Sequence, residues 1–278
     1  EFKGPDARKF LDHIMAGRLP KPGRISLSPM LSYRGKLCGD LTVACLDENE
    51  FMVFGSGAAQ EMHRRWFESH IDKFNLSYSN RSDEYHGLSI AGPNSRKVLE
   101  KIVRDDVSNE KFKFRDSRRM FVGGVPAIIN RISFTGELGY EIYVAPHYQL
   151  KLYEELMEAG KEFNIKPFGG RALMSMRLEK NWGAWTLDYR PDFTAKETGL
   201  DAFINWDKEF IGKESAQKEN SSNKLVPLIV ETNEIDVTNN EAVLNGDQSI
   251  GYVTSGGFAH FVNKSVAFTF VDQKNINS

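Results

Sequence analysis

The sequence is poor in cysteine, has no long apolar run and carries no excess of charge of either sign. Its 278 residues include two cysteines, and 36 Lys and Arg oppose 38 Asp and Glu, for a formal net charge of -2. Cys38 and Cys45 are seven positions apart in one predicted strand, so they point to opposite faces and predict neither a disulfide nor a zinc site. No apolar stretch approaches the roughly 18 residues that a membrane span needs. We therefore expect no membrane or nucleic-acid partner, a reducing compartment (cytoplasm, or mitochondrial matrix in a eukaryote) and a small-molecule ligand.

Several motifs that carry common chemistries are also missing. The sequence contains no G-x-G-x-x-G after a strand, no Walker lysine loop and no H-E-x-x-H, so nucleotide, flavin and zinc chemistry lack support within these residues. The six histidines are scattered, and we expect His63, His70 and His86 to be surface or helix residues rather than ligands. Three serines, at positions 28, 89 and 255, have no recognisable His and Asp partners, which leaves a hydrolase weakly supported.

The chain contains an internal repeat. A Gly-Pro pair at Gly4 and again at Gly92 is followed by Asp or Asn and then by a short segment with Leu and Ile three apart. In both copies the Asp or Asn predicts the cap of a short helix with one apolar face. A length of 278 residues allows one to three domains, and the repeat predicts two related α+β lobes.

Other elements follow from periodicity and turn residues. We predict a hairpin over 23–47, a strand over 51–54, a helix over 58–74, strands over 118–122, 125–134 and 140–144, helices over 147–163 and 172–180, a linker over 217–224 and a small β domain after it.

Asp40 is the first candidate for chemistry. In the predicted hairpin it points away from Leu41 and Val43, because successive strand residues alternate in direction. Aspartate is disfavoured in the middle of a strand, and a buried carboxylate needs a partner. The alternative is a solvated aspartate on a half-exposed sheet.

The segment 134–141 is a second candidate. It combines two glycines, two carboxylates and the aromatic residues Phe134 and Tyr140 within eight positions. A carboxylate such as Glu141 can accept two parallel hydrogen bonds from an amidine-like ring edge, while an aromatic ring packs on the ring face. The alternative is an ordinary hairpin with a solvated glutamate.

Arg177 is a third candidate. It lies in a predicted helix beside the turn 181–185, which ends in Trp185, and could hold an anionic tail there. It could equally pair with Glu179 or with a neighbouring lobe, which is the commoner fate of such an arginine.

Taken in order, these segments resemble the aminomethyltransferase (glycine cleavage T protein) family over nearly the whole chain. Within it, the resemblance is greatest to the folate-binding C-terminal region of dimethylglycine and sarcosine dehydrogenases. The motifs that carry it are Ser28-Pro29-Met30-Leu31-Ser32, Gly39-Asp40-Leu41-Thr42-Val43, Ala91-Gly92-Pro93, Thr135-Gly136-Glu137-Leu138-Gly139-Tyr140-Glu141, Met176-Arg177-Leu178-Glu179, Gly199-Leu200 and Phe210-Ile211-Gly212-Lys213.

The resemblance implies an α+β, three-lobed fold with a central channel. We expect a discontinuous folate-binding lobe over 1–75 and 145–216, a second lobe over 76–144 and a C-terminal β-barrel domain over 225–278. The family's opening strands and a preceding flavin domain are absent and the barrel looks truncated, so we expect a fold that is incomplete at both ends.

The resemblance also implies roles for single residues. Asp40 would be the catalytic carboxylate near the reactive folate nitrogens, and Glu141 would hold the pterin edge. Phe134 takes a position often held by tyrosine, and Leu27 replaces an aromatic residue common in the glycine-cleavage branch. The remaining expected contacts to tetrahydrofolate are Tyr140, Arg177, Met30, Leu41 and Trp185.

The implied reaction is tetrahydrofolate-dependent one-carbon transfer. A formaldehyde-level carbon from a methylamine-type donor would be captured to give 5,10-methylene-tetrahydrofolate. A flavin dehydrogenase domain or a lipoyl carrier protein would be the partner, with no flavin or metal site in the chain itself. The alternatives are a folate-dependent demethylase of a methylated sulfur or oxygen donor and a folate-binding module without catalysis.

Overall fold

Three antiparallel sheets organise the chain in a computed structural model that describes residues 1–232 and 235–276. Two sheets have helices against one face, and the third is a C-terminal, barrel-like sheet. This mixed architecture confirms the expected α+β fold. Positions 233–234 and 277–278 of the expected C-terminal domain lie outside the described residues.

The first sheet has five strands in the order β2-β3-β4-β1-β5. Their bounds are Phe2–Lys3 (β1), Arg24–Leu31 (β2), Leu37–Asp47 (β3), Glu50–Phe54 (β4) and Ser77–Tyr78 (β5). Helices α1 (Ala7–Ile14) and α2 (Gln60–Glu68) cover one face of it. Their apolar side chains form a core with Leu41 and Val43 of β3, so alternation places Asp40 on the other face.

The second sheet has four strands in the order β6-β9-β8-β7. The bounds are His86–Ala91 (β6), Ser117–Val122 (β7), Val125–Asn130 (β8) and Gly139–Val144 (β9), and helices α3 (Ser95–Ile102) and α4 (Gln149–Gly160) cover one face. Tyr140, Ile142 and Val144 of β9 point into the core beneath these helices. Glu141 and Tyr143 therefore point out of the opposite face.

The third sheet has the order β10-β13-β12-β11. Its strands are Asn223–Val230 (β10), Ala242–Asn245 (β11), Gln248–Ala259 (β12) and Lys264–Asp272 (β13), and it is preceded by helices α5 (Gly170–Glu179), α6 (Ala195–Thr198) and α7 (Lys213–Lys218). Leu178 of α5 shares a core with Val266 and Phe268 of β13. The predicted linker over 217–224 is shorter than expected, because α7 runs to Lys218 and β10 begins at Asn223.

The internal repeat is visible in the structure. Gly4 and Gly92 both adopt positive φ angles, of 134° and 125°, and each precedes a helix of eight residues. Asp6 and Asn94 occupy the predicted N-cap positions, but without the capping hydrogen bond. The Asp6 carboxylate instead accepts from the Asn75 amide at 2.9 Å.

Two predicted element ends are wrong. Helix α2 stops at Glu68 rather than 74, since the Ser69 hydroxyl and His70 Nδ1 both hydrogen-bond the Trp66 carbonyl and take that acceptor at the end of the helix. Strand β8 ends at Asn130 rather than 134, so Phe134 lies in a loop over 131–138.

No helix among the described residues is long and apolar enough to cross a membrane.

Candidate functional site

The helix-free faces of the first two sheets meet each other. Ala44 of β3 and Met52 of β4 share an apolar cluster with Ile128 of β8, and Phe54 and Tyr143 pack against it. Asp40 lies on the Ala44 face of its sheet, and Glu141 lies on the Tyr143 face of the other. Both carboxylates therefore point into the region between the two sheets.

Asp40 is surrounded by protein but retains partial exposure. It is directly opposite Pro29 of β2, two residues beyond the Thr42–Phe54 pair that ends the contact of β3 with β4. Burial raises the pKa of Asp40 to about 7, and a hydrogen bond from its own backbone offsets this only in part. A carboxyl group with such a pKa both holds and releases a proton near neutral pH, as a general base must.

The turn after α5 brings aromatic residues towards Asp40. Tyr189 is buried, and its hydroxyl oxygen accepts from the Gly183 amide at 3.1 Å. Burial raises the pKa of Tyr189, and the Asp40 charge adds to that shift. The Trp185 ring lies 6.0 Å from the ring of His63 on α2. His63 Nε2 lies 3.0 Å from the carbonyl oxygen of Cys38, to which it donates.

Glu141 is partly exposed and held by one neighbour. The Tyr143 hydroxyl donates to Glu141 Oε2 at 2.8 Å. Burial raises the pKa of Glu141, while the Tyr143 hydrogen bond and the charge of Lys180 lower it. Within residues 1–232 and 235–276 the other carboxylate oxygen makes no hydrogen bond, so Glu141 can accept from a donor edge presented in the region between the sheets.

A row of polar residues crosses the second sheet through Glu141. Asn130 of β8 is directly opposite Glu141, and Ser117 of β7 is opposite Asn130. The Ser117 hydroxyl donates to Asn130 Oδ1 at 2.7 Å. Asn130 is fully buried, and within residues 1–232 and 235–276 its Nδ2 meets no hydrogen-bond partner. A buried donor without a partner beside a carboxylate fits a ligand that offers both acceptors and donors.

A cavity of about 250 Å³ opens at the end of β4. Leu41, Phe54, His63 and Tyr143 are among the residues that line it. The lining includes Leu41 of β3 and Tyr143 of β9 but neither Asp40 nor Glu141, so the cavity lies beside the two carboxylates rather than around them. Gly39 is needed here, because a Cβ atom at this position would lie 2.8 Å from His63 Nε2.

Three of the expected ligand contacts are placed elsewhere by the structure. Tyr140 is fully buried in the core of the second sheet, where Arg96 Nε donates to its hydroxyl at 3.1 Å. Met30 is fully buried in the core beneath α1. Neither side chain reaches the region between the sheets. Leu41 belongs to the same core as Met30 but also lines the cavity, and Phe134 and Trp185 remain partly exposed.

Arg177 is the third expected ligand contact that the structure places elsewhere. It is 1% exposed, and its Nη1 atom donates to Asp188 Oδ2 at 2.5 Å and to the Trp182 carbonyl at 3.1 Å. Its guanidinium carbon lies 5.4 Å from the ring centre of Phe268 in the third sheet. The expectation that it holds an anionic tail fails, because it is already paired with a buried carboxylate.

Comparison with known proteins identifies the family. The profile of the GCVT N-terminal domain matches residues 1–208, and that of the glycine cleavage T-protein C-terminal barrel domain matches residues 223–278. The chain belongs to the glycine cleavage T-protein family. This confirms the resemblance drawn from the ordered motifs.

Named relatives divide into two groups. The chain is 35% identical to human mitochondrial dimethylglycine dehydrogenase over 97% of its length but covers only 32% of that protein. It is 30% identical to the aminomethyltransferase of Thermoanaerobacter pseudethanolicus, with 98% of this chain and 75% of the relative covered. The crystal structure of aminomethyltransferase T from Bartonella henselae superposes with a TM-score of 0.86 at 24% identity, over 98% and 74% of the two chains. That structure confirms the T-protein fold.

Sequence reasoning missed three residues that this T-protein fold brings to the site. His63 was expected to be a surface or helix residue, and it lies in α2 but is 5% exposed and faces β3. Tyr143 had a usable signal, since it is two positions after Glu141 in a strand and so shares its face. The charge of Lys180 acts on Glu141. The sequence carried no signal for this contact, because Lys180 reaches the second lobe from the end of α5.

Proposed function

We propose that this T-protein-family chain carries out tetrahydrofolate-dependent one-carbon transfer. The observation that carries the proposal is the pair of partly exposed carboxylates, Asp40 and Glu141, that point into one region between two sheets. Asp40 is the catalytic residue of the proposal, and Glu141 is the binding residue for the pterin edge.

The residues present fit a reduced folate. A pterin edge offers neighbouring N–H donors, which a carboxylate accepts as a pair, and one oxygen of Glu141 is already fixed by Tyr143. The amide Nδ2 of Asn130 lies in the same row across the sheet and lacks a partner among the described residues. The aromatic side chains of Phe54 and Tyr143 supply a wall between the two sheets, and Phe134 lies in the adjoining loop.

When bound, tetrahydrofolate supplies a nucleophilic nitrogen that captures a carbon at the formaldehyde oxidation level. The work of the chain is to hold a proton and to stabilise charge. With a pKa of about 7, Asp40 accepts a proton from a bound nitrogen when ionised and stabilises a neighbouring cation by its negative charge.

The proposed donor is a methylamine-type compound. The dimethylglycine dehydrogenases that the chain resembles are about three times its length, which favours a flavin dehydrogenase domain as the source of the donor over a lipoyl carrier protein. We propose tetrahydrofolate as the cofactor in either case.

The test uses the full chain, a titration of 5-formyl-tetrahydrofolate for binding, and a methylamine-derived donor generated by a separate amine oxidase for turnover. We expect Asp40→Asn to retain binding but to lose roughly 10²–10⁴-fold in formation of 5,10-methylene-tetrahydrofolate. Glu141→Gln should lose binding. Asp47→Asn is the matched control, because Asp47 is on the same strand but exposed.

Other outcomes would replace the proposal. Failure of the wild type to bind any reduced folate would overturn it. Formation of 5-methyl-tetrahydrofolate from a methylated sulfur or oxygen donor would identify a demethylase. Binding without either product, and with Asp40 dispensable, would identify a binding module.

A further inference from the structure

Lys180 contacts the loop over 131–138, which carries Phe134. It directly follows α5, and its Nζ atom donates to the carbonyl oxygen of Ser133 at 2.6 Å, one residue before Phe134. The stem of Lys180 also packs on Gly136, where an added Cβ atom would lie 3.3 Å from Lys180 Cβ and where φ is +81°. The loop is thus held at two points by one side chain.

The ammonium group of Lys180 has a defined electrostatic setting. It lies 5.2 Å from the ring centre of Trp182. Desolvation lowers the pKa of Lys180, and the negative charge of Glu141 opposes that shift. In return, Lys180 lowers the pKa of Glu141. The two groups therefore stabilise each other's charged forms.

The other groups that surround Glu141 are neutral, so Lys180 serves as its counterion. Tyr143, on the same strand, contributes a hydroxyl rather than a charge. The residues directly opposite on the neighbouring strands are Ser89 and Asn130, which are both neutral. Lys180 is the cation that acts on Glu141 among the described residues.

The end of helix α5, which precedes Lys180, is anchored to the third sheet. Glu179 accepts from the backbone amides of Phe261 and Val262, at 2.6 and 3.2 Å, in the turn between β12 and β13. Ser175 donates to the Phe258 carbonyl of the same domain. The last turn of α5 is therefore anchored to the third sheet on one side while Lys180 extends to the second sheet on the other.

We infer that Lys180 is a positioning residue of the ligand site, which fixes the 131–138 loop and balances the charge of Glu141 without touching the reacting atoms. The inference rests on the proposed function and deepens it. A carboxylate with its own counterion accepts from a neutral donor edge without needing a positive ligand. The site therefore selects a neutral ring edge with two N–H donors.

The test compares Lys180→Met and Lys180→Arg with the wild type in binding of 5-formyl-tetrahydrofolate between pH 5 and 9. We expect Lys180→Met to weaken binding at pH 7.5 by about tenfold, since it removes a charge-assisted interaction. The pH midpoint of binding should also move upward, because Glu141 loses the cation that lowers its pKa. Lys180→Arg should restore both. Lys151→Met on α4 is the matched control, because Lys151 is exposed and pairs with Glu155.

A second readout is the ligand-free titration of Glu141 followed by carboxyl-carbon NMR, with Glu141→Gln used to assign the signal. We expect a higher pKa in Lys180→Met. An unchanged titration together with unchanged binding would overturn the inference, and so would an arginine variant as impaired as the methionine variant. If the wild type does not bind folate, the proposed function fails, and the NMR titration still decides whether Lys180 sets the charge of Glu141.

Discussion

The rings of Phe54 and Tyr143 stack across the boundary between the first and second sheets, with centroids 4.4 Å apart and planes inclined by 29°. Phe54 is opposite Thr42, two residues after Asp40 on the same face of β3. Tyr143 donates its hydroxyl to Glu141. The stacked pair therefore joins the two sheet faces that carry the two carboxylates.

Tyr143→Phe separates the stacking from the hydrogen bond. The ring remains, but Glu141 loses a donor that lowers its pKa. We expect weaker binding of 5-formyl-tetrahydrofolate near pH 7, with the pH midpoint shifted upward. The free energy of unfolding should fall by about 1–3 kcal/mol, since a hydrogen bond to a carboxylate is lost. Tyr153→Phe on the exposed side of α4 is the control, and equal effects of the two variants would contradict the assignment.

Asp40→Asn should stabilise the ligand-free protein at neutral and alkaline pH. The pKa of Asp40 is raised from 3.8 to about 7, so folding favours the protonated form. This contribution is fully present below pH 3.8 and is lost as the pH rises through 7. We expect the variant to exceed the wild type by about 1–3 kcal/mol in free energy of unfolding at pH 8 and by little at pH 4.

Denaturant titrations at several pH values measure this difference. Asp47→Asn should change the stability little at any pH, because Asp47 is exposed. A lower stability of Asp40→Asn at pH 8 would show that the ionised carboxylate is well accommodated in the folded protein, contrary to its raised pKa.

Asp188→Ala should loosen the third sheet from the rest of the molecule. Asp188 is fully buried and accepts from Arg177 on α5 and from Thr254 and Ser255 on β12, each at 2.5 Å. Removing it leaves the Arg177 charge buried without a partner, which costs about 3–5 kcal/mol in stability. Guanidinium unfolding and protease cleavage near 219–222, between α7 and β10, would measure the effect.

The double variant Arg177→Met with Asp188→Leu is the control for this prediction. It removes both charges together, so it should lose much less stability than Asp188→Ala alone. If the double variant were the less stable of the two, the shape of the pair rather than its charge would be what holds the third sheet.

Strand parity explains part of what could be predicted from the sequence. Alternation along β3 correctly opposed Asp40 to Leu41, because a period of two needs only local geometry. The same rule applied to β9 separates Tyr140 from Glu141. Tyr140 and Glu141 therefore belong to opposite faces of the sheet, and only Glu141 faces the site.

Long-range contacts explain most of the rest. Arg177 had three possible partners in the sequence, and the structure pairs it with Asp188 through a turn whose path depends on packing against the third sheet. The end of α2 depended on Ser69 and His70 competing for a backbone carbonyl, which periodicity does not register.

By itself, the sequence determined the order of the elements, the repeated Gly-Pro helices, the family and the two carboxylates to examine. These depend on local periodicity and on motifs in a fixed order. Only the tertiary structure decided which residues share the site. Lys180 and Ser133 are 47 positions apart, and Phe54 meets Tyr143 only because two sheets pack face to face. Burial by that packing, rather than any neighbour in the sequence, raises the pKa of Asp40.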